Sequence, residues 1–402
     1  MKKIKVALIA AEFLPNWGGA GTYNIRLVKQ LMNDFEIHVI TPKRTIKNSK
    51  LIYSEEAVEK HFNNKIKVHF ICDADDTFLY NAKFQWAVSR RFKELQRHYK
   101  FDLIHTDHPH MSDVLYKPEV PEVLTVHTTI GWHLKGIRQS HISFVQMEPS
   151  ERYQVILNIP LLAVEQFYLK KRNHIITVSN SMKKELQRKY HFQDIDVIYS
   201  GVEEDIFIPW TGKDFNILPQ IKVPIVLMSS RMTAAKGAYY LIKAIPQILR
   251  ENNQVHFVFA GSGLNQPWQS LLEKEGIGSK YYSFLGYLPY EQLPELYARS
   301  SIFVCPSLCE NLPARVLEAM SCQVPAVATN IYGIPDAITD NQNGILVPPQ
   351  DEKSLAVGII QLLNNDSLRR KMGENARKTV MEKFTWNKIA QDTKAVYYKV
   401  VE

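Results

Sequence analysis

The 402-residue sequence contains no apolar run long enough to cross a bilayer, for which a helix needs about 20 consecutive apolar residues. The longest candidate, Val155 to Val164, is interrupted by Asn158 and Pro160. The opening MKKIKVALIA carries lysines and a short apolar run that Glu12 and Pro15 cut off. It reads as a buried first strand, not as a secretion signal. Cysteine is scarce: Cys72, Cys305, Cys309 and Cys322 stand at no metal-ligand or disulfide spacing, so reduced core thiols in a cytoplasmic protein are expected. No G-x-G-x-x-G fingerprint follows an apolar strand, which removes the main sequence argument for a dinucleotide oxidoreductase. Low-complexity stretches and short-period repeats are also missing.

Hydrophobic residues make up 45% and charged residues 22% of the chain, the composition of a globular protein without long disorder. Its length exceeds what one core usually supports, so two domains are expected. The net charge of +8 is unevenly spread: residues 1–200 hold 29 Lys+Arg against 21 Asp+Glu, and residues 201–402 hold 20 of each. Basic clusters fall at Arg90, Arg91, Lys93 and Arg97, and at Lys170, Lys171, Arg172, Lys183, Lys184, Arg188 and Lys189. They read either as solvated helix faces or as a patch for an anionic acceptor or anionic lipid. No nucleic-acid partner is expected.

Apolar strands alternate with helices along the first half, at Ile4 to Ala10, Glu36 to Ile40, Ile66 to Ile71, Leu103 to His105, Glu122 to Val126 and His174 to Val178. The pattern restarts at Pro224 to Ser229, Val255 to Ala260, Tyr282 to Leu285, Ile302 to Val304 and Ala326 to Thr329. Apolar strands bounded by helices imply parallel sheets covered on both faces. The fold class expected is α/β with two Rossmann-like, doubly wound domains, residues 1–200 and 201–384, divided in the turn-rich stretch that begins at Ser200.

Chemistry concentrates where these strands end. Gly18, Gly19 and Gly21 follow the first strand and open a helix, a place where backbone amides can approach a phosphate or a sugar; a tight structural turn explains the glycines equally well. Arg231 and Lys236-Gly237 follow the first strand of the second half, well placed to clamp a diphosphate and to stabilise the charge it gains on departure. Glu310, Asn311, Leu312 and Pro313 precede a helix that carries Glu318. Pro313 suits a helix start, which leaves free amides nearby. The two carboxylates can divide the work, one holding sugar hydroxyls and the other a ribose diol. His127 ends a strand of the first half, where open α/β sheets bind ligands. Asp73-x-Asp75 suggests a competing reading, a metal-dependent transferase of another architecture, but an acidic turn after a strand is commonplace.

Taken together these residues resemble family 4 of the retaining glycosyltransferases, which share the two-domain GT-B fold with the domains facing across a cleft. The landmarks run in the family's order: Gly18-Gly19, His127, Arg231 with Lys236-Gly237, Gly261 and Gly263, Glu310 with seven residues before Glu318, Gly333-Ile334-Pro335-Asp336 and Asn343 to Val347. The resemblance implies a nucleotide diphosphate sugar donor, UDP-sugar foremost, and no cofactor or metal. It assigns the diphosphate to Arg231 and Lys236, the ribose to Glu318, and the sugar to Glu310 with the Asn311 and Leu312 segment. Gly18, Gly19 and Gly261 would approach the donor, and His127 would contact its sugar and act with Glu310, Arg231 and Lys236 in catalysis. It also implies a final helix, residues 385–402, packed on the first domain through Ile389, Ala395, Val396 and Val400. The basic first half of the chain, not the resemblance, leads to the expectation of a glycan or lipid-linked acceptor in cell-surface glycan synthesis and of peripheral contact with the inner face of the membrane, with a purely solubilising role for the charge as the alternative. Asn311, Gln323 and Tyr332 depart from the family pattern, the last two at positions where glycine is common. A GT-B sugar-nucleotide epimerase and a catalytically silent partner of an active enzyme are the alternatives.

Overall fold

The protein was analysed as a computed structural model, which describes residues 3–15, 19–44, 54–74, 80–108, 110–139, 149–212, 216–218, 220–263 and 265–402. The first sheet contains β1 (Lys5–Ile9), β2 (Glu36–Arg44), β3 (Ile66–Ala74), β4 (Leu103–His108), β5 (Glu122–Val126), β6 (Ile175–Thr177) and β7 (Ile195–Val197), in the order β3-β2-β1-β4-β5-β6-β7. The second contains β8 (Ile225–Ser229), β9 (His256–Ala260), β10 (Tyr282–Gly286), β11 (Ile302–Cys305), β12 (Ala326–Thr329) and β13 (Gly344–Val347), in the order β10-β9-β8-β11-β12-β13. Both are parallel throughout. Val6 is paired with Ile37 on one side and Leu103 on the other, and Val226 with Phe257 and Ile302. Segments such as IVLMS and HFVFA are buried at every position, as strands covered on both faces must be.

In each sheet the winding direction reverses once, between β1 and β4 and between β8 and β11. Loops leaving the carboxyl ends of such a pair diverge to opposite faces and open a crevice, the usual ligand position in this architecture. Site residues are therefore sought on the loops after β1, β4, β8 and β11.

Two compact units result: residues 1–130, 161–200 and 386–402, and residues 131–160 with 201–385. The segment 131–160 thus groups with the second unit although it lies in the first half of the sequence. The helix Trp386–Val401 places Trp386, Ile389, Ala390, Val396, Tyr397 and Val400 in the core of the first unit. Ala395, expected to pack there, is exposed; its place in the helical repeat is taken by Val396 and Tyr397. The Tyr397 hydroxyl lies 2.6 Å from Nδ1 of buried His105, whose Nε2 lies 2.7 Å from the Thr125 hydroxyl.

Other sequence expectations also change. The helix Pro149–Lys170 runs through Pro160, a residue that removes an internal hydrogen bond and normally marks a helix end. Arg172, grouped with the surface cations, is buried and ion-paired with Asp113 at 2.8 Å and with Glu122. Of the four cysteines, Cys305 and Cys322 are buried, while Cys72 and Cys309 are partly exposed.

Burial holds His105 neutral, with its pKa lowered to about 4. The unfolded chain binds a proton there near pH 6.5, so this contribution is intact above that value and is lost as pH falls toward 4. The loss expected over this window is on the order of 3 kcal/mol. Chemical denaturation between pH 7 and 4 is expected to show this decline, and His105→Gln is expected to flatten it.

Candidate functional site

In the second unit the loop after β8 runs through Arg231 to a short helical turn, Ala234–Lys236, and reaches Gly237 in a left-handed conformation, φ 74°. A Cβ at Gly237 would stand 1.9 Å from the carbonyl oxygen of Pro306. The glycine therefore lets the β8 loop lie directly against the β11 loop, and Leu308 N donates to Ala235 O at 2.8 Å across the same contact. Gly261 has a comparable cause: its Cβ would stand 1.8 Å from Ser230 O.

Close approach of the loops sets the electrostatics. Lys236, expected to hold a diphosphate, is ion-paired with Glu310 of the β11 loop, and Arg231 is exposed beside it in sequence. Pro313 caps the helix Ala314–Ser321, whose first amides have no partner within the helix. Glu318, buried in that helix, accepts from Arg315 at 2.8 Å. Ser229, Ser230, Lys236, Ser307, Glu310 and Arg315 line one cavity. Arg315 was not singled out in the sequence; its i,i+3 spacing to Glu318 was the available signal.

Asn311 and Leu312 are buried, and residues 131–138 pack against the same loop. The Cys309 thiol donates to Trp132 O at 3.1 Å, and a Cβ on Gly136 would stand 2.1 Å from that of Cys309. Burial, and then the neighbouring Glu310 charge, push the Cys309 thiol up to about 12, so it remains a hydrogen-bond donor. Trp132 stacks on Tyr332 with ring centroids 4.1 Å apart. Tyr332 and Gln323 occupy left-handed backbone positions, φ 44° and 60°, which favour glycine. These are the two positions at which the sequence lacks the expected glycine.

In the first unit, buried Asp107 at the end of β4 accepts from Asn24 and lies 3.4 Å from Nε2 of His127. The Tyr23 ring meets the imidazole edge-on at 4.7 Å. Burial alone would raise the Asp107 pKa, but the hydrogen bond and charge of His127, with His105 and Asn24, hold it below the usual carboxylate value. After β1, Glu12 accepts from Gly21 N at 3.1 Å and pairs with His110 at 3.4 Å. Opposing the desolvation that would raise it, His110 and the Gly21 amide keep Glu12 ionised below its ordinary range. The helix start Gly19–Leu31, read as open to a ligand phosphate, thus already carries a carboxylate. Gly19 is exposed; Gly18 and Asp75 lie outside the described residues. Asp107 and Glu12, at and just past strand ends, and Asn24, a buried polar residue inside the helix Gly19–Leu31, were not recognised from the sequence, because single polar residues carry no periodic signal.

The sequence profile described as Glycosyltransferase Family 4 matches residues 17–206, and that described as Glycosyl transferases group 1 matches residues 213–379. The chain belongs to glycosyltransferase family 4. A glycosyltransferase of Methanocaldococcus jannaschii is 34% identical over 238 residues, a stretch that covers 57% of this chain and only 60% of that relative. The alpha-maltose-1-phosphate synthase of Mycolicibacterium smegmatis is 26% identical over 99% of this chain and 100% of its own length. Among solved structures, the sucrose-phosphate synthase of Thermosynechococcus elongatus superposes with a TM-score of 0.78 at 21% identity, covering 99% of each chain. Anabaena HepE in complex with UDP and glucose gives 0.72 at 18% identity, covering 98% of this chain and 100% of that one. These likenesses give this glycosyltransferase the GT-B fold, and its relatives support a hexosyltransferase and do not favour an epimerase.

Gly237→Ala is expected to destabilise the glycosyltransferase by about 2 kcal/mol or more, because a side chain there meets backbone in a left-handed conformation. Gly19→Ala, where a Cβ meets nothing within 4 Å, is expected to leave stability nearly unchanged. Thermal unfolding of the two variants checks the contrast.

Proposed function

We propose that this glycosyltransferase transfers a hexose from a nucleotide diphosphate sugar, UDP-sugar foremost, with retention of anomeric configuration and without a metal. The observation that carries the proposal is the meeting of Lys236 and Glu310 on the two loops that diverge at the reversal point of the second sheet. Arg231 and Lys236 bind the diphosphate and stabilise the charge that develops on it as the glycosidic bond breaks. Glu318, oriented by Arg315, grips the ribose diol. Glu310, with the Asn311 and Leu312 segment, holds the sugar hydroxyls, and Gly261 keeps the adjoining turn close to the donor. His127, fixed by Asp107, contacts the donor sugar, and Gly18 and Gly19 approach it through backbone amides. Supporting the nucleotide assignment is Anabaena HepE, solved with UDP and glucose.

The acceptor in this reading is a glycan or a lipid-linked molecule, used in cell-surface glycan synthesis at the cytoplasmic face of the membrane. Support comes from the basic first half of the chain, which carries the whole net charge of +8.

Arg231→Ala and Lys236→Ala are each expected to lower kcat by about 100-fold or more without unfolding the protein, and chelators are expected to have no effect. Steady-state turnover of UDP-sugars with and without EDTA provides the test. Loss of activity on chelation with recovery on manganese would contradict the metal-free reading.

A further inference from the structure

The helix Tyr80–Tyr99 divides its residues sharply. Phe84, Ala87, Val88 and Phe92 enter the core beneath β3 and β4. On the outer side Lys83, Trp86, Arg90, Lys93 and Arg97 are all exposed, Trp86 by 54%. At 3.6 residues per turn these five fall within a sector of about 80° and form one continuous row. Glu94 is the single carboxylate of the helix and stands at one border of the row, with Arg91 beyond it.

An exposed tryptophan alone is ordinary, but a tryptophan within a row of four cations matches one class of surface. Indole partitions to the headgroup level of a bilayer, and lysine and arginine are drawn to anionic headgroups. The Arg90 guanidinium lies over the Trp86 ring, 4.0 Å from its centroid. One ring face is therefore already covered, which disfavours stacking on a base or a sugar ring and leaves the edge and the other face to enter a headgroup layer. The cations on either side would be held at the depth of the lipid phosphates.

We infer that the outer face of the helix Tyr80–Tyr99 is the surface by which this glycosyltransferase docks on an anionic bilayer, an inference that rests on the peripheral-membrane part of the proposed function and names the element responsible. Attachment of this kind is reversible and salt-sensitive, because at 1 M salt the screening length falls to about 3 Å.

The test is co-sedimentation of the full chain with vesicles of phosphatidylcholine, or of equal parts phosphatidylcholine and phosphatidylglycerol, at low salt and at 1 M salt. The parent protein is expected to pellet only with the anionic vesicles at low salt, with a tryptophan blue shift that Trp86→Phe abolishes. Joint replacement of Lys83, Arg90, Lys93 and Arg97 by glutamine is expected to lower partitioning on the order of 1,000-fold. The same number of glutamines at Lys183, Lys184, Arg188 and Lys189, on the helix Asn180–Tyr190, is expected to lower it far less. Protection of each variant by UDP against thermal unfolding reports on folding and donor binding separately, so docking can fail while the donor reading stands. Equal binding by the first variant, equal loss in the second, or parent protein that binds soluble dextran sulfate but no vesicle would each overturn the inference.

Discussion

The ion pair between Lys236 and Glu310 is the contact on which the candidate site of the second unit depends. It joins the loops that leave β8 and β11, and it exists because Gly237 lets those loops touch. Uncompensated charge is costly in such a partly buried place, whereas a cation already matched by a carboxylate is tolerated. Glu318 and Arg315 repeat the device one helix away, and Glu12 on the Gly21 amide repeats it in the first unit. Lys236, which the proposed function assigns to the donor diphosphate, is thus matched by an internal carboxylate. An incoming diphosphate would take over Lys236 and release Glu310 toward the sugar hydroxyls, an exchange of partners in place of the creation of new charge contacts.

Charge matching also shapes the polar interior of the first unit. Asp107, Asn24, His127, Glu12 and His110 gather where β1, β4 and β5 end, at and beside the reversal point of the sheet. His127 is consequently fixed from two sides, by a carboxylate and by the Tyr23 ring, which is the preorganisation a sugar-contacting group needs.

Much of this was legible in the sequence, for physical reasons that differ by residue. Strands buried on both faces are nearly continuous apolar runs, so most of the sheet strands could be read directly, and the Glu310 to Glu318 spacing singled out the loop to which the proposed function assigns the donor. Pairings that depend on the third dimension could not be read. Arg172 looks like its neighbouring lysines until Asp113 and Glu122 are brought to it. The helix Pro149–Lys170 hides behind Pro160, and the grouping of residues 131–160 with the second unit follows from contacts such as Gly136 with Cys309. Gln323 and Tyr332 stood out as missing glycines; the structure adds that both keep the left-handed backbone that glycine would adopt, and that Tyr332 also gains a stacking partner in Trp132.

In the proposed function Glu310 and the donor diphosphate compete for Lys236. Titration calorimetry of UDP against the parent protein and Glu310→Gln measures that competition. Tighter UDP binding by Glu310→Gln, together with reduced turnover of the UDP-sugar, is expected; unchanged or weaker UDP binding would contradict the competition.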